Sequence, residues 1–219
     1  MNIHKSIKNL LSIEESIKSK ILSKKIPQII AVSKTFPLAD IFPLIKHGHI
    51  NYGENKAQEA ISKWGEIKKT LPKIKLHMIG KIQTNKVKYV VSLFDYIHTL
   101  DNIRLAEKIA NEQIKQNKKL KIFIQINIGD EKQKNGIDID NLYSFHKQCT
   151  KDFKLEISGI MCIPPINLDR QNYYIQMSKL KDILGVQELS MGMSDDYLVA
   201  VKNNSTYLRI GSKIFGQRG

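Results

Sequence analysis

The stretch IIAVSKTFPLADIFPLIKHGHINYGENKAQEAISKW, residues 29–64, decides the fold. It opens on four apolar residues, Ile29 to Val32, which break off at Ser33, Lys34 and Thr35. A helical pattern then runs from Leu38 to His47. The order repeats at once, with INYG before a second helical pattern over Glu54–Trp64. A short apolar run, a polar break and a 3.6-residue period read as strand, loop and helix. The alternation continues along the chain. IKLHMIG precedes Thr84–Leu93, YIHTL precedes Asn102–Asn117, and LKIFIQINI precedes Asp138–Thr150. LEISGIMCI precedes Asn167–Ile183, QELSMGM precedes Ser194–Lys202, and TYLRIG is followed by a short SKIFG. Alternating elements imply parallel strands joined by right-handed helical crossovers. Eight such units predict an α/β fold, a single (β/α)8 TIM barrel, with an open doubly wound sheet as the alternative. No linker or low-complexity tract interrupts the series, so residues 1–219 are expected to form one domain. Before the first strand, Ile3, Ile7, Leu10, Leu11 and Ile17 lie mostly at three- and four-residue steps, which predicts an extra N-terminal amphipathic helix.

Composition excludes several classes. No apolar run reaches the length of a membrane span, and the N-terminus, which carries Glu14 and Glu15, matches neither a secretory signal nor a transit peptide. The two cysteines, Cys149 and Cys162, show no CxxC spacing. A disulfide scaffold and a structural zinc site are not expected, and a reducing cytoplasm is. Lys+Arg number 35 against 21 Asp+Glu, for a net charge of +14. The lysines are spread along the whole chain, and arginine occurs only at 104, 170, 209 and 218. Nucleic acid is therefore not the expected partner, whereas an anionic small ligand stays open.

A barrel carries its site at the C-terminal ends of its strands, so the residues after each apolar run are the candidates. Lys34 follows the first strand. It can snorkel to water, or, if desolvated, its amine can capture an aldehyde as a Schiff base. Asn55, after the second strand, could cap the next helix or contact a ligand; Tyr52 could stack on a flat ring or be an ordinary half-buried tyrosine. Gly80, Gln83, Asn85 and Lys86 would reach the mouth or the first turn of the next helix. His77 lies within the third strand and reads as a satisfied core group. His47 and His49 are spaced so that a helix end would not present both rings to one metal. SMGMSDD (190–196) and RIGS (209–212) place glycine and small polar residues where loops seven and eight of a barrel often bind phosphate. Ser194 could hold the phosphate, cap the seventh helix, or both. Asp195 and Asp196 suit that helix's positive end, with magnesium a weaker reading. Arg209, on the eighth strand, must be paired or used if it faces inward. An amine, a phosphate cradle and an inward arginine at one mouth are the parts that hold a phosphorylated aldehyde, for which pyridoxal 5′-phosphate is the candidate.

AVSKT, YGENKAQE, HMIGKIQTNK, SGIMCIP, LSMGMSDD and LRIGSKIFG occur in that order. Together they resemble the motifs of the YggS/PROSC family, the pyridoxal phosphate homeostasis proteins, over nearly all of the chain from about residue 26. The resemblance implies a barrel similar to the N-terminal domain of alanine racemases. It implies a Schiff base between Lys34 and the cofactor. It also implies a phosphate held by Ser194 and the backbone of Gly211 and Ser212, with Arg209 facing the pyridine nitrogen. A cation there keeps the nitrogen unprotonated and weakens the ring as an electron sink. Two positions depart from the family: Lys56 stands where tyrosine is usual, and Asn204 where glycine is usual. The sequence ends at Gly219, right after the eighth unit, so the racemases' second, β-rich domain and its tyrosine base are not expected. The implied role is a binder that buffers pyridoxal phosphate or delivers it to dependent apoenzymes, with no catalytic residue. It is expected to be a cytoplasmic monomer with no metal. The alternative is a racemase-like enzyme of low activity.

Overall fold

A computed structural model describes residues 3–21, 26–129, 135–165 and 169–217. After helix α1 (Lys5–Lys18) come β1 (Gln28–Val32), α2 (Leu38–Lys46), β2 (Asn51–Glu54), α3 (Ala57–Thr70) and β3 (Lys75–Met78). A 3-10 turn (Thr84–Lys86) leads into α4 (Val87–Leu93), followed by β4 (Tyr96–Leu100), α5 (Ile103–Lys115), β5 (Lys121–Ile126) and α6 (Ile139–Lys151). The chain continues with β6 (Ile157–Cys162), α7 (Arg170–Leu184), β7 (Glu188–Ser190), α8 (Tyr197–Lys202), β8 (Tyr207–Ile210) and α9 (Ser212–Phe215). The strands form a closed barrel in sequence order. All neighbours are parallel, and β8 closes on β1 from Gln28↔Tyr207 to Ala31↔Ile210. The fold is thus the expected (β/α)8 barrel with an added N-terminal helix, and not the open sheet.

The strand residues divide by parity, as a period of two requires. Ile29, Ala31, Tyr52, Leu76, Met78, Ile97, Ile122 and Ile160 join the helices in one apolar layer around the barrel. Ile30, Phe123, Met161 and Tyr207, with Tyr96 against them, form a separate cluster inside it. This inner cluster is small for a barrel, because polar and histidine side chains share the interior. Helix α1 buries Leu10, Ile13 and Ile17 and packs on α9, to which Asn9 Nδ2 donates at the Ile214 carbonyl, 3.0 Å away.

Three element starts differ from expectation. Glu54 ends β2 rather than opening a helix, because its carboxylate is held between the barrel and α3 by Ser33, Lys63 and Trp64; α3 begins at Ala57. Helix α8 begins only at Tyr197, since Asp196 turns in to accept from the Met193 N–H, the Tyr174 hydroxyl and Arg170. Helix α7 begins at Arg170, with Asp169 accepting from the Gln171 N–H; the Asn167 end of the expected helix lies outside the described residues. No helix among the described residues is long and apolar enough to cross a membrane.

Candidate functional site

The end of β1 is held from two sides. Ser33 is fully buried. Its N–H donates to the Gly53 carbonyl at 3.0 Å, and its hydroxyl donates to Glu54 Oε1 at 2.7 Å. Lys63 Nζ bridges the Ser33 carbonyl and Glu54 Oε1, both at 2.9 Å. Trp64 Nε1 donates to the same carboxylate oxygen at 3.0 Å. Lys34, half-buried, follows this anchor. Thr35 then takes φ +68°, and the Phe36 N–H returns to the Ser33 carbonyl at 3.2 Å. Phe36 stacks on Phe215 with ring centroids 4.9 Å apart, which ties the Lys34 turn to α9.

The β1–β8 register sets what lies beside that turn. Ala31 pairs with Ile210, so Val32 sits next to Gly211. A methyl group at Gly211 would meet Val32 Cβ at 3.4 Å, an ordinary contact. Ser212 then opens α9. Ser194 does not cap α8. Its hydroxyl instead accepts from the Lys213 N–H at 3.4 Å, joining the loops after β7 and β8. Lys34, Ser194, Gly211 and Ser212 thus belong to one arc of the barrel rim, on β7, β8 and β1.

Arg209 faces the barrel interior and is buried. Its NH1 donates to the Ser190 carbonyl and hydroxyl, both at 2.7 Å, and its NH2 to the Cys162 carbonyl at 2.8 Å. Burial lowers the guanidinium's pKa, yet a group of this basicity stays charged. Three of its five N–H groups are committed, which leaves two without a partner among the described residues. Cys162, beside it, is an inert thiol, pushed up to about 12 by burial.

Asn55 lies on the other side of β1, after β2. It is not a cap: Lys56 flanks α3 and no side chain caps the helix. The backbone of Asn55 lies so close to Gly80 that a Cβ there would come within 2.1 Å of the Asn55 carbonyl oxygen. The Asn55 Oδ1 is buried and has no hydrogen-bond partner among the described residues. It lines a cavity of about 330 Å³ together with Met78, Gln83 and the lysines Lys56, Lys81 and Lys86.

Other candidates resolve differently. Tyr52 faces the helices, packs on Trp64 at 4.8 Å and donates to the His49 carbonyl. His49 sits against Asn51 and Tyr52. Among the described residues no metal-binding cluster forms, and Asp195 and Asp196 diverge, one exposed and one buried. His77 is a satisfied core group, bonded at both ring nitrogens. Sequence reasoning missed its neighbours His98 and Ser190, both fully buried. Their signal was a polar residue in step with the inward parity of β4 and β7.

The family model for the alanine racemase N-terminal domain matches residues 14–219. The chain belongs to that family. It is similar to the pyridoxal phosphate homeostasis protein of Haemophilus influenzae, 36% identical over 100% of this chain and 97% of that one. It is 35% identical to that of Pasteurella multocida, over 96% of both. Among solved structures it is similar to PipY of Synechococcus elongatus, determined with and without PLP, at 31% identity and TM-score 0.86. The match covers 96–97% of this chain and 100% of PipY. The family's shared fold thus agrees with the barrel described above.

Proposed function

We propose that this chain binds pyridoxal 5′-phosphate through Lys34 and serves in cofactor homeostasis, buffering it or delivering it to dependent apoenzymes in the cytoplasm, without turnover. The observation that carries this reading is that Lys34 and the joined β7 and β8 loops share one arc of the rim, with Arg209 buried in the barrel two residues below Gly211. The names of the similar proteins and the PLP-bound PipY support it. The residues fit the group on their own geometry too. Gly211 leaves open backbone beside Val32, Arg209 retains two donors, and Asn55 Oδ1 awaits a partner.

When bound, the cofactor supplies an aldehyde carbon. Lys34 supplies the amine that captures it. Ser194, with the backbone of Gly211 and Ser212, takes the phosphate, where glycine and a hydroxyl allow close approach. Arg209 would offer donors to the ring nitrogen, and because a guanidinium does not give up its proton the nitrogen would stay an acceptor. Glu54 and Lys63 hold Ser33 and thereby orient Lys34. Asn55 offers its oxygen to a donor in the neighbouring cavity. The whole of residues 1–219 acts as one binding domain.

Borohydride reduction of protein mixed with pyridoxal phosphate, followed by digestion and mass spectrometry, should place the adduct on Lys34. Attachment elsewhere, or no visible absorbance, overturns the binding reading. Amino-acid turnover well above that of free cofactor, lost on Lys34→Ala, overturns the carrier part alone.

A further inference from the structure

A line of hydrogen bonds crosses the barrel beneath Arg209. Arg209 NH1 lies 2.7 Å from Ser190 Oγ, which lies 2.8 Å from His98 Nδ1. His98 Nε2 is 3.0 Å from His77 Nδ1, and His77 Nε2 is 3.1 Å from Asn51 Oδ1. Asn51 Nδ2 then donates to Gln28 Oε1 at 3.1 Å. The six residues come from β8, β7, β4, β3, β2 and β1 in turn.

Both ends of this line fix its direction. Asn51 Oδ1 only accepts, so His77 Nε2 carries a hydrogen. Burial holds His77 and His98 well below the ordinary histidine pKa, so each ring carries one hydrogen. His77 Nδ1 is then bare and accepts from His98 Nε2–H. His98 Nδ1 is bare in turn and accepts from the Ser190 hydroxyl. The Ser190 lone pairs are left facing Arg209, which can only donate. Every link is satisfied in this direction, whereas in the reverse Ser190 would accept from both His98 and Arg209 and its own hydrogen would have no acceptor in the line. Ring flips are blocked by stacking, His77 on Tyr96 at 4.2 Å and His98 on Phe123 at 4.3 Å.

Proton delivery is excluded as the purpose, because the line ends in a group that does not release protons at working pH. We infer that His98, acting through Ser190, is a positioning residue that locks the orientation of Arg209 and so fixes the donors offered to the cofactor ring. This rests on the reading that Arg209 faces the ring. His98 keeps the Ser190 hydroxyl turned away from the guanidinium; without it, the Ser190 hydrogen can rotate toward Arg209 and displace that cation's donor.

Two measurements test it. Imidazole ¹⁵N NMR of the protein without cofactor should show His77 and His98 neutral, both with hydrogen on Nε2. A hydrogen on Nδ1 of either ring overturns the wiring, whatever the cofactor does. With cofactor attached to Lys34, His98→Phe and Ser190→Ala should each shift the visible band and release cofactor roughly tenfold faster. His98→Gln, which keeps an acceptor and a donor, should recover the wild-type band. Ser190→Ala leaves the aromatic stack untouched and covers the case in which His98→Phe does not fold. Unchanged band and release in the folded variants overturn the positioning role. If the cofactor attaches at another residue, the binding reading fails, while the NMR result still stands or falls by itself.

Discussion

Glu54 and Lys63 form an ion pair of unequal burial, and the inequality predicts which half can be lost more cheaply. The carboxylate is fully buried and the lysine side chain is 13% exposed, 2.9 Å away. Removing one member of a buried pair costs about 3–5 kcal/mol, because the other charge is left uncompensated. Lys63→Met strands a carboxylate whose remaining donors among the described residues are Ser33 and Trp64, so about 4 kcal/mol is expected. Glu54→Gln strands an ammonium that still reaches water and the Ser33 carbonyl, and about 2 kcal/mol is expected after that solvation is counted. For a chain of this length 1 kcal/mol moves Tm by about 2–4 °C. Thermal unfolding by circular dichroism should therefore fall by roughly 4–8 °C for Glu54→Gln and roughly 8–16 °C for Lys63→Met. The double variant should cost less than the sum by about 2 kcal/mol, since no charge is then left alone. A Lys63→Met cost below that of Glu54→Gln, or strict additivity, refutes the reasoning.

Two glycines should separate fold from site. Gly159→Ala drives a methyl to within 2.1 Å of the Glu188 carbonyl oxygen and should lose the β6–β7 pairing and soluble expression, whereas Gly211→Ala should melt within about 2 °C of wild type but retain less cofactor on a desalting column. Stability should fall on acidification: burial holds His49 at about 4 against 6.5, so its contribution is complete above pH 6.5 and is lost as the unfolded chain gains a proton on the way down to pH 4. Between pH 7 and pH 5 that is about 1–2 kcal/mol for a partly solvated ring, with His77 and His98 adding the same sign; urea midpoints at the two pH values measure it, and His49→Gln should flatten part of the slope. Asn204 holds φ +64°, so Asn204→Gly should change the urea midpoint little and Asn204→Ala should cost about 1 kcal/mol.

The barrel was legible because each unit carries two independent signals, a short apolar run and a helical period. The rule that barrels place chemistry at strand ends singled out Lys34, Arg209 and the glycine-containing loops as candidates, and the structure puts them at or just below one end of the barrel. The turn at Asn204 holds a positive φ because asparagine tolerates the left-handed region. Caps were less legible. Asn55, Ser194 and Asp196 all suit a helix start by type, and long-range partners decide among them: Tyr174 and Arg170 draw Asp196 inward, and Ser194 meets Lys213. Parity was hidden for a different reason. Both faces of these strands are buried, so hydrophobicity alone does not say which one looks inward. The polar residues do: once Arg209 is inward, Tyr207 is too, and Ser190, His98, His77 and Asn51 fall into line with them.

The same logic of fixed surroundings explains an unfavourable torsion beside Lys34. Thr35 is β-branched, and φ +68° costs such a residue about 1–2 kcal/mol. The turn from Ser33 to Phe36 closes through the Phe36 N–H, which puts Lys34 and Thr35 at its two central positions. Ser33 is pinned by Gly53, Glu54 and Lys63, and Phe36 by Phe215. With both ends fixed, the chain has few ways to connect them, and the strain falls on Thr35. Glycine would remove the strain but widen the conformations open to the turn. Threonine keeps it narrow, and Lys34 is carried at a corner held by residues of β2, α3 and α9.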